Sequence, residues 1–436
     1  MKFYNREYEL VFLEQVASRT IQSAQFTLML GRRRVGKTRL LHKAFENKKS
    51  VYFFVAKKSE PMLCAEYVEL IKSNLNIPVF GEFTSFKSVF ELLMHASVDN
   101  PFTVIIDEFQ EFTNINKSVY SEMQNVWDTY KEKSRLNLVV CGSIYSLMKQ
   151  IFENSKEPLF GRATDKIIIK PFGIDIQKQI LKDINPDYLP KDLLAFYAVT
   201  GGMAKYVEVL AERNAVTFDT ILDEILRKDS LLISEGKNLL IEEMGRDYIT
   251  YFSILTLIAS SKTSRSEIES VLQKDIGGYL EKLENDYTII RKVKPLLAKP
   301  QSRSVKYFID DNFLNFWFRF IYKNSSSIEI ENFEYVKEVV RSDFDSFSGK
   351  LLEKYFREKL ILESNYSEIG SYWERGNKNE IDIVAINKRK KIALIIDIKL
   401  NPAKINLDAL KIKAQNLVTQ LTDYQIEYTG WSLEDI

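Results

Sequence analysis

The chain has 436 residues, of which 45% are hydrophobic and 28% charged, and its formal net charge at pH 7 is +1. This length exceeds what one hydrophobic core holds, so two or three domains are expected. The near-neutral net charge excludes a global electrostatic field that would draw the chain to nucleic acid or to a membrane. The chain has two cysteines, too few for a disulfide framework, and two histidines, too few for a histidine metal centre. The charged N-terminus and the strand-sized apolar runs predict a cytoplasmic protein without a membrane span.

Short apolar runs alternate with longer amphipathic stretches over residues 1–171, the first predicted domain. The runs predicted as buried strands are FTLML (26–30), SVYFFVA (50–56), FTVIID (102–107), NLVVCGS (137–143) and DKIIIK (165–170). Strands that alternate with helices are typical of a parallel sheet with helices on both faces. The predicted fold class is therefore α/β.

The segment GRRRVGKT fits the pattern G-x-x-x-x-G-K-[ST] and lies between the predicted strand 26–30 and a predicted helix, as a phosphate-binding loop requires. Gly31 and Gly36 let backbone N–H groups fold around phosphate, and the helix N-terminus adds partial positive charge. Lys37 is expected to reach the β- and γ-phosphates, and Thr38 to ligate Mg²⁺. The other residues predicted to surround the bound ATP are Arg32, Arg33, Arg34, Val35 and Arg39.

A second acidic motif follows the predicted strand 102–107. Asp107 ends this strand and is the expected partner of Mg²⁺, while Glu108 is the expected base for the attacking water. Ser143 ends the predicted strand 137–143. It is predicted either to contact the γ-phosphate or to cap the helix that follows.

After Pro171 the sequence contains fewer apolar runs typical of β-strands, and three further domains are predicted. Residues 172–245, interrupted by TGG, are expected to form a helical lid. Residues 246–322 contain helices, a short turn and two strands around a basic, proline-containing loop, which is typical of a winged helix. The segment 322–332 is the predicted linker. Residues 333–436 form the last predicted domain.

The predicted winged helix carries basic side chains near its recognition helix and wing. These residues are Lys282, Arg291, Lys292 and Lys294. They are suited to phosphate contacts with DNA. Acidic residues lie among them, namely Glu281, Glu284 and Asp286. A wing that packs against protein therefore remains an equal alternative.

The motifs NREYEL, GRRRVGKT, IIDEFQ, VVCGS, PLFGR, TGG and IDDNFLNFWFRF occur in the order seen in archaeal-type ATPases of the AAA+/STAND superclass, which the chain resembles over nearly its whole length. The resemblance implies a P-loop ATPase core, a helical lid, a winged helix and a C-terminal domain similar to restriction endonucleases. It implies that Arg6 and Glu7 border the adenine, and that Arg162 is either a finger on a neighbour's γ-phosphate or a salt bridge that anchors its loop. The family usually has proline where this chain has Ala204, which affects the expected lid geometry.

Two predicted strands near the C-terminus, EIDIVAI and IALIIDIKL, flank the turn NKRKK. If the hairpin loop is residues 388–391, Asp382 lies opposite Asp397, and Lys399 shares their face by the period of two. Another loop length breaks this register. Together with Glu353 on a predicted helix, these residues resemble the PD-(D/E)xK nuclease arrangement, in which the carboxylates hold Mg²⁺ and the lysine orients the attacking water. A strand pair with solvated charges at its ends is the alternative, and related domains also serve DNA binding or partner contacts.

These features predict a Mg²⁺-dependent ATPase that couples its nucleotide state to a winged-helix and nuclease-like, DNA-associated module. The alternative is a STAND-like signalling switch that binds a protein partner and has an inactive nuclease-like domain. A third possibility is a winged-helix transcriptional regulator that uses ATP as a structural ligand. ATP is the expected ligand in each case, and DNA, a protein partner and self-association are the further expected interactions.

Overall fold

The computed structural model describes residues 2–244, 248–299, 301–302 and 304–436. Residue contacts divide the chain into two compact units, which are residues 4–171 and residues 1–3 with 172–436. The predicted boundary between the lid and the winged helix, at residues 245 and 246, lies outside the described residues. In the part of the chain that is described, no helix is both long and apolar enough to cross a membrane.

The first unit is built on a parallel β-sheet, so the predicted α/β class is confirmed. Its strands are β1 (Gln25–Leu30), β2 (Ser50–Phe54), β3 (Phe102–Asp107), β4 (Leu136–Cys141) and β5 (Asp165–Ile168). They lie in the order β2-β3-β4-β1-β5, and each neighbouring pair is parallel. Strands β1, β3 and β4 are buried along their whole length, which explains their continuous apolar sequences.

Helices of the first unit connect these strands and pack on the sheet. They are α1 (Glu7–Arg19), α2 (Lys37–Phe45), α3 (Glu60–Leu75), α4 (Phe86–Ala96), α5 (Phe112–Ile115), α6 (Ser118–Tyr130) and α7 (Tyr145–Glu153), with a 3-10 turn at Phe109–Glu111. Helix α3 has Pro61 in its first turn, where no N–H is needed, and the Ser85 side chain caps α4. Helix α6 places Trp127 edge-on against Phe26 of β1, with ring centroids 5.2 Å apart.

The second unit begins with helices. These are α8 (Ile174–Ile184), α9 (Pro190–Thr200), α10 (Ala204–Glu212), α11 (Phe218–Ile225) and α12 (Leu231–Met244). Gly202, between α9 and α10, has a φ of 74°, and a Cβ there would lie 2.2 Å from the carbonyl oxygen of Phe172. Only glycine fits this turn. Helix α10 begins at Ala204, so the absence of proline at this first helical position does not prevent the helix from starting there.

Three further helices precede a two-stranded antiparallel hairpin. They are α13 (Tyr248–Ala259), α14 (Arg265–Leu272) and α15 (Gly277–Asn285), and the strands are β6 (Ile290–Val293) and β7 (Lys306–Ile309). A capping box between Ser264 and Glu267 starts α14. In the hairpin, Ile290 lies opposite Ile309, and both side chains are buried.

The aromatic run after β7 is buried. It forms α16 (Asn312–Phe316), a π-helical turn (Trp317–Ile321) and a 3-10 turn (Tyr322–Asn324). The segment 322–332, predicted as a linker, contains the 3-10 turn and α17 (Ser325–Glu329), and its role as a linker stays a prediction. Local backbone hydrogen bonds hold the end of this segment, since the N–H groups of Ile330 and Asn332 donate to the carbonyls of Ser326 and Ser327.

A long helix and a mixed sheet complete the second unit. The elements are α18 (Phe333–Glu363), β8 (Glu368–Glu374), β9 (Lys378–Asn387), β10 (Ile392–Lys399), a 3-10 turn (Pro402–Lys404), α19 (Leu407–Lys413), α20 (Gln415–Val418), β11 (Gln425–Ser432) and a 3-10 turn (Leu433–Asp435). The strand order is β11-β10-β9-β8, with β10 parallel to β11 and antiparallel to β9. Ile392 lies opposite Asn387 and Ile396 opposite Ile383, which confirms the hairpin register predicted from a four-residue loop.

Candidate functional site

The loops that follow β1, β3 and β4 meet at one edge of the parallel sheet, where ligands bind in open α/β folds. β4 lies between β1 and β3. The glycine-rich loop follows β1, Asp107 and Glu108 close β3, and Ser143 follows β4. The predicted nucleotide residues from three separate parts of the sequence are therefore neighbours in this unit.

The glycine-rich loop encloses the side chain of Lys37. Gly36 has a φ of 98° and precedes α2, whose first residue is Lys37. The Lys37 ammonium is nearly buried and donates to the carbonyl oxygens of Gly31 at 2.6 Å and Arg32 at 3.2 Å. It thus lies inside the loop, at the start of a helix whose N–H groups also attract anions.

The remaining loop residues differ in exposure. Arg34 is exposed and adopts a left-handed φ of 72°, whereas Val35 is buried. Arg32 and Arg33 are half-buried, and Arg39 is exposed on α2. The cluster of arginines therefore surrounds the loop on its accessible side, where positive charge attracts an anionic ligand.

Arg6 lies behind the loop. Its guanidinium is buried, pairs with Glu9 at 2.9 Å, and donates to the carbonyl oxygens of Val35 at 3.3 Å and Lys170 at 2.8 Å. Arg6 therefore fastens the loop to the segment that follows β5. Glu7 is exposed at the start of α1. Contact of either residue with adenine stays a prediction.

Asp107 is held by four donors. Its Oδ2 accepts hydrogen bonds from Thr38 Oγ1 at 3.1 Å and from the Tyr52 hydroxyl, and its Oδ1 accepts from the Glu108 N–H at 2.9 Å and from Cys141 Sγ at 3.0 Å. Burial, followed by the nearby Asp107 charge, raises the pKa values of Tyr52 and Cys141. Both groups therefore keep their protons and orient the Asp107 carboxylate beside the Thr38 hydroxyl.

Glu108 and Ser143 form a second, adjacent pair. Glu108 Oε2 accepts from Ser143 Oγ at 2.8 Å and from Gln110 Nε2 at 2.6 Å. The alternative in which Ser143 caps α7 is wrong, because Ile144 occupies the cap position and the Ser143 hydroxyl is used by Glu108. Glu108 itself has a left-handed φ of 54°.

Arg162 is paired within its own unit. Its guanidinium donates to Asp128 Oδ2 at 3.0 Å and to the Phe160 carbonyl oxygen at 2.9 Å, and its side chain is 30% exposed. This geometry matches the predicted loop-anchoring salt bridge. A role on the γ-phosphate of a neighbouring subunit stays a prediction.

The C-terminal residues converge in part. Lys399 Nζ lies 2.6 Å from Asp397 Oδ1 and 3.5 Å from Asp382 Oδ2. Glu353 is bound by Lys350 at 2.9 Å. Burial raises the pKa of Glu353 to about 7, although the Lys350 ammonium opposes this shift. Among the described residues, no group of three His, Cys, Asp or Glu side chains is arranged to hold a metal. In this arrangement the C-terminal residues do not fit a resident Mg²⁺.

Sequence patterns did not predict several residues that neighbour these sites. Tyr52 and Cys141 reach Asp107 from β2 and β4, and no local pattern connects these positions. The spacing of Glu380 and Lys350 in the sequence could have indicated that they neighbour the C-terminal site. Glu380 shares the face of Asp382 by the strand period, and Lys350 precedes Glu353 by one helical turn.

Replacing Tyr52 with phenylalanine tests how Asp107 is positioned. Asp107 is the predicted partner of Mg²⁺, and outer hydrogen bonds to such a carboxylate typically change metal affinity or activity by about 10–100-fold. On this prediction, Tyr52→Phe should raise the Mg²⁺ concentration needed for half-maximal ATP turnover by about tenfold or more. Tyr67→Phe is the control, since that hydroxyl bonds the Phe54 carbonyl oxygen instead. Identical Mg²⁺ titrations for the two variants would contradict the role given to Tyr52.

Comparisons with known proteins agree with this geometry. Residues 3–210 match a family described as "ATPase domain predominantly from Archaea", and residues 317–412 match one described as "Archaea bacterial proteins of unknown function". An uncharacterized protein of Methanocaldococcus jannaschii is 29% identical over 98% of this chain and 94% of its own length.

Solved structures give likenesses at lower identity. A Walker-type ATPase of Pyrococcus abyssi is 20% identical, covers 72% of this chain and 96% of its own, and has a TM-score of 0.55, which indicates a similar fold. The ORC2 protein of Aeropyrum pernix is 14% identical, covers 76% and 95%, and has a TM-score of 0.47. Residues 3–210, which contain the glycine-rich loop, Asp107 and Glu108, are thus the part of the chain that is similar to archaeal ATPase domains.

Proposed function

We propose that this protein binds ATP with Mg²⁺ and hydrolyses it at the edge of the parallel sheet. The observation that carries the proposal is the contact between Thr38 Oγ1 and Asp107 Oδ2, 3.1 Å apart, directly beside the buried Lys37 ammonium. A hydroxyl and a carboxylate oxygen are ligands that Mg²⁺ prefers. A lysine within a loop of backbone N–H groups suits the phosphates that accompany the metal.

The residues present fit both groups. Lys37 would exchange its bonds to the Gly31 and Arg32 carbonyls for phosphate oxygens, and Thr38 would hold the metal with Asp107 in support. Bound Mg²⁺ would supply positive charge that offsets the charge on the phosphate oxygens. Tyr52 and Cys141 keep Asp107 in one orientation, which limits reorganisation during turnover.

Glu108 is the proposed base. Its carboxylate is next to Asp107 in sequence and is held by Ser143 and Gln110, so it has a defined position before any ligand arrives. To accept a proton from water, the carboxylate must give up part of this hydrogen bonding. Ser143 is therefore proposed to hold Glu108 in the free protein and to become available for the γ-phosphate when Glu108 turns to water.

The finer part of the proposal couples the nucleotide site to DNA. The succession α13, α14, α15 and the β6–β7 hairpin supports a winged helix. Lys282 is exposed on α15, Lys292 on β6, and Lys294 directly after β6. The mixed sheet with Asp382, Asp397 and Lys399 supports a nuclease-like module. DNA would then contact the second unit, while ATP binds the first.

A second candidate is a signalling switch with a protein partner and an inactive nuclease-like domain. One observation favours it: lysine ammonium groups pair with the C-terminal acidic residues, and in the described part of the chain no three carboxylates gather around one point. In this case ATP turnover would be slow and independent of DNA.

Turnover with and without duplex DNA distinguishes the two candidates. We expect DNA to raise the ATP hydrolysis rate severalfold at low salt and less at high salt, because phosphate contacts release counterions. Lys292→Ala and Lys294→Ala together should weaken this stimulation, and the rate without DNA should stay unchanged. A rate that DNA leaves unaltered at every salt concentration would favour the signalling switch.

A further inference from the structure

A small cavity lies between strands β6 and β7, helix α18 and the strands β8 and β9. Arg291 on β6 and Lys306 on β7 line it from one face of the strand pair, since Lys306 lies opposite Val293, two residues after Arg291. Helix α18 adds three more basic side chains, which lie on one side of the helix because of their spacing. These are Lys350, Lys354 and Arg357. The acidic side chains of the lining are Glu353 and Glu380, so basic groups are in excess.

Every basic group of the cavity except that of Arg357 has a carboxylate partner. The ion pairs are Lys306 with Glu380 at 3.0 Å, Lys350 with Glu380 and with Glu353 at 2.9 Å each, Arg291 with Asp310 at 3.4 Å, and Lys354 with Asp310 and with Glu358 at 3.9 Å each. Arg357 instead donates from Nη2 to the Ser371 hydroxyl at 2.7 Å. Among the described residues, it makes no ion pair with a carboxylate.

The Arg357 guanidinium is mostly buried, and its hydrogen bonding is incomplete. Its Nε is inaccessible to solvent and has no hydrogen-bond partner in the part of the chain that the structure describes. Burial, followed by the nearby Arg291 charge, lowers the pKa of Arg357 to about 10. A buried charge without a counter-ion is unfavourable, and a second cation beside it adds repulsion. An anion between the two guanidinium groups would remove both costs.

The size and the donors of the cavity favour a phosphate group as this anion. The centre of a water molecule has about 30 Å³ of space there, which suits an oxyanion of a few oxygen atoms and excludes a nucleobase. Guanidinium groups present planar sets of donors that match phosphate oxygens. Arg291 is already oriented, since its guanidinium lies 5.0 Å from the centre of the Phe308 ring. A carboxylate has fewer oxygens and less charge with which to join cations on the two walls.

We propose that this cavity binds a phosphate group, with Arg357 and Arg291 as its main donors and the exposed Lys350 at its entrance. Two sources have this chemistry: a phosphate of DNA, at an end or within the backbone, and free inorganic phosphate. DNA is the expected source if the second unit contacts DNA, and for this source the inference rests on the proposed function. Arg357 gains its missing counter-ion in either case.

Binding of inorganic phosphate to the full-length, nucleotide-free protein tests the cavity itself and is followed by the line width of the phosphorus magnetic resonance. Lys37→Ala protein is the parent, because the glycine-rich loop is a second expected phosphate site. Adding Arg357→Gln should weaken phosphate binding by about tenfold or more, since it removes one partner of a buried charge pair. Arg341→Gln is the matched control and should bind as the parent does. Arg341 is an exposed arginine on the same helix, paired with Asp219 at 3.0 Å.

Arg291→Gln gives a second test if Arg357→Gln fails to fold. Arg291 is half-buried on the opposite wall, and its pairing with the exposed Asp310 is a surface contact that contributes little to stability. This variant should also weaken phosphate binding severalfold, because it removes the second guanidinium from the same anion. If Arg291→Gln and every folded Arg357→Gln protein bound phosphate as Arg341→Gln does, the cavity would not be a phosphate site.

Fluorescence anisotropy of a short labelled duplex, with either 5′-phosphate or 5′-hydroxyl ends, identifies the source of the phosphate in the same proteins. If DNA supplies it, Arg357→Gln should reduce the slope of log affinity against log salt concentration by about one, the value for one lost phosphate contact. An effect confined to the phosphorylated duplex assigns the cavity to a terminal phosphate, and an equal effect on both assigns it to the backbone.

The two experiments separate failure of the cavity from failure of the DNA proposal. If no form of the protein binds duplex DNA, but inorganic phosphate binding depends on Arg357, the DNA part of the proposed function is wrong and the cavity is a site for free phosphate. If DNA binds and Arg357→Gln changes neither DNA binding nor phosphate binding, the cavity proposal is wrong and the DNA proposal stands.

Discussion

Lys37→Ala should abolish tight ATP binding. The Lys37 ammonium is nearly buried within the glycine-rich loop, where the terminal phosphates are proposed to bind. Removing one partner of a buried, hydrogen-bonded charge pair costs about 2–5 kcal/mol, so the dissociation constant should rise by about 30-fold to several thousand-fold. Isothermal titration calorimetry with ATP and Mg²⁺ measures this change directly.

Lys43→Ala is the matched control for that experiment. Lys43 is an exposed lysine on the same helix, and its ammonium pairs with Glu46 at 2.8 Å. It should bind ATP as the wild type does, because an exposed i,i+3 pair contributes little. If Lys37→Ala and Lys43→Ala had the same dissociation constant, the loop would not be the nucleotide site.

Glu108→Gln should bind ATP normally and turn it over about 10²–10⁴-fold more slowly, the range expected for a lost general base. The amide has nearly the same shape and keeps one oxygen to accept from Ser143 and Gln110, so the site should remain folded. It cannot accept a proton from water. Single-turnover hydrolysis measured at saturating ATP isolates this step from binding.

Glu111→Gln serves as the comparison for Glu108→Gln. Glu111 is a buried carboxylate three residues further along the same turn, and its partner is Asn114 at 3.3 Å. The identical chemical change there should leave single-turnover hydrolysis close to the wild-type rate. Equal rates in the wild type and Glu108→Gln would remove Glu108 from the mechanism.

Local patterns made part of the molecule predictable. The loop around Lys37 depends on consecutive residues, so its strand–turn–helix context is visible in the sequence. The register of Asp382 against Asp397 follows from the length of one turn, since a four-residue loop fixes which residues face each other. The buried aromatic run after β7 also follows from composition alone.

Features that depend on distant parts of the chain were not predictable. Tyr52 meets Asp107 because β2 lies beside β3, and sheet order is not encoded by spacing. The hydrogen bond between Ser143 and Glu108 could not be predicted, because the two residues follow different strands. The pairing of Lys306 with Glu380 joins residues 74 positions apart, and only the packed fold brings them together.

The backbone at Glu108 connects catalysis to heat resistance. Glu108 has a left-handed backbone φ of 54°. In a residue other than glycine, this conformation raises the energy of the native state by roughly 1–2 kcal/mol. Glycine at this position would relieve that strain and offset part of the gain through a more flexible unfolded chain. The proposed base thus occupies a position where stability and turnover compete. Evolution in the laboratory for a higher melting temperature, without selection for ATP turnover, would tend to discard this carboxylate early.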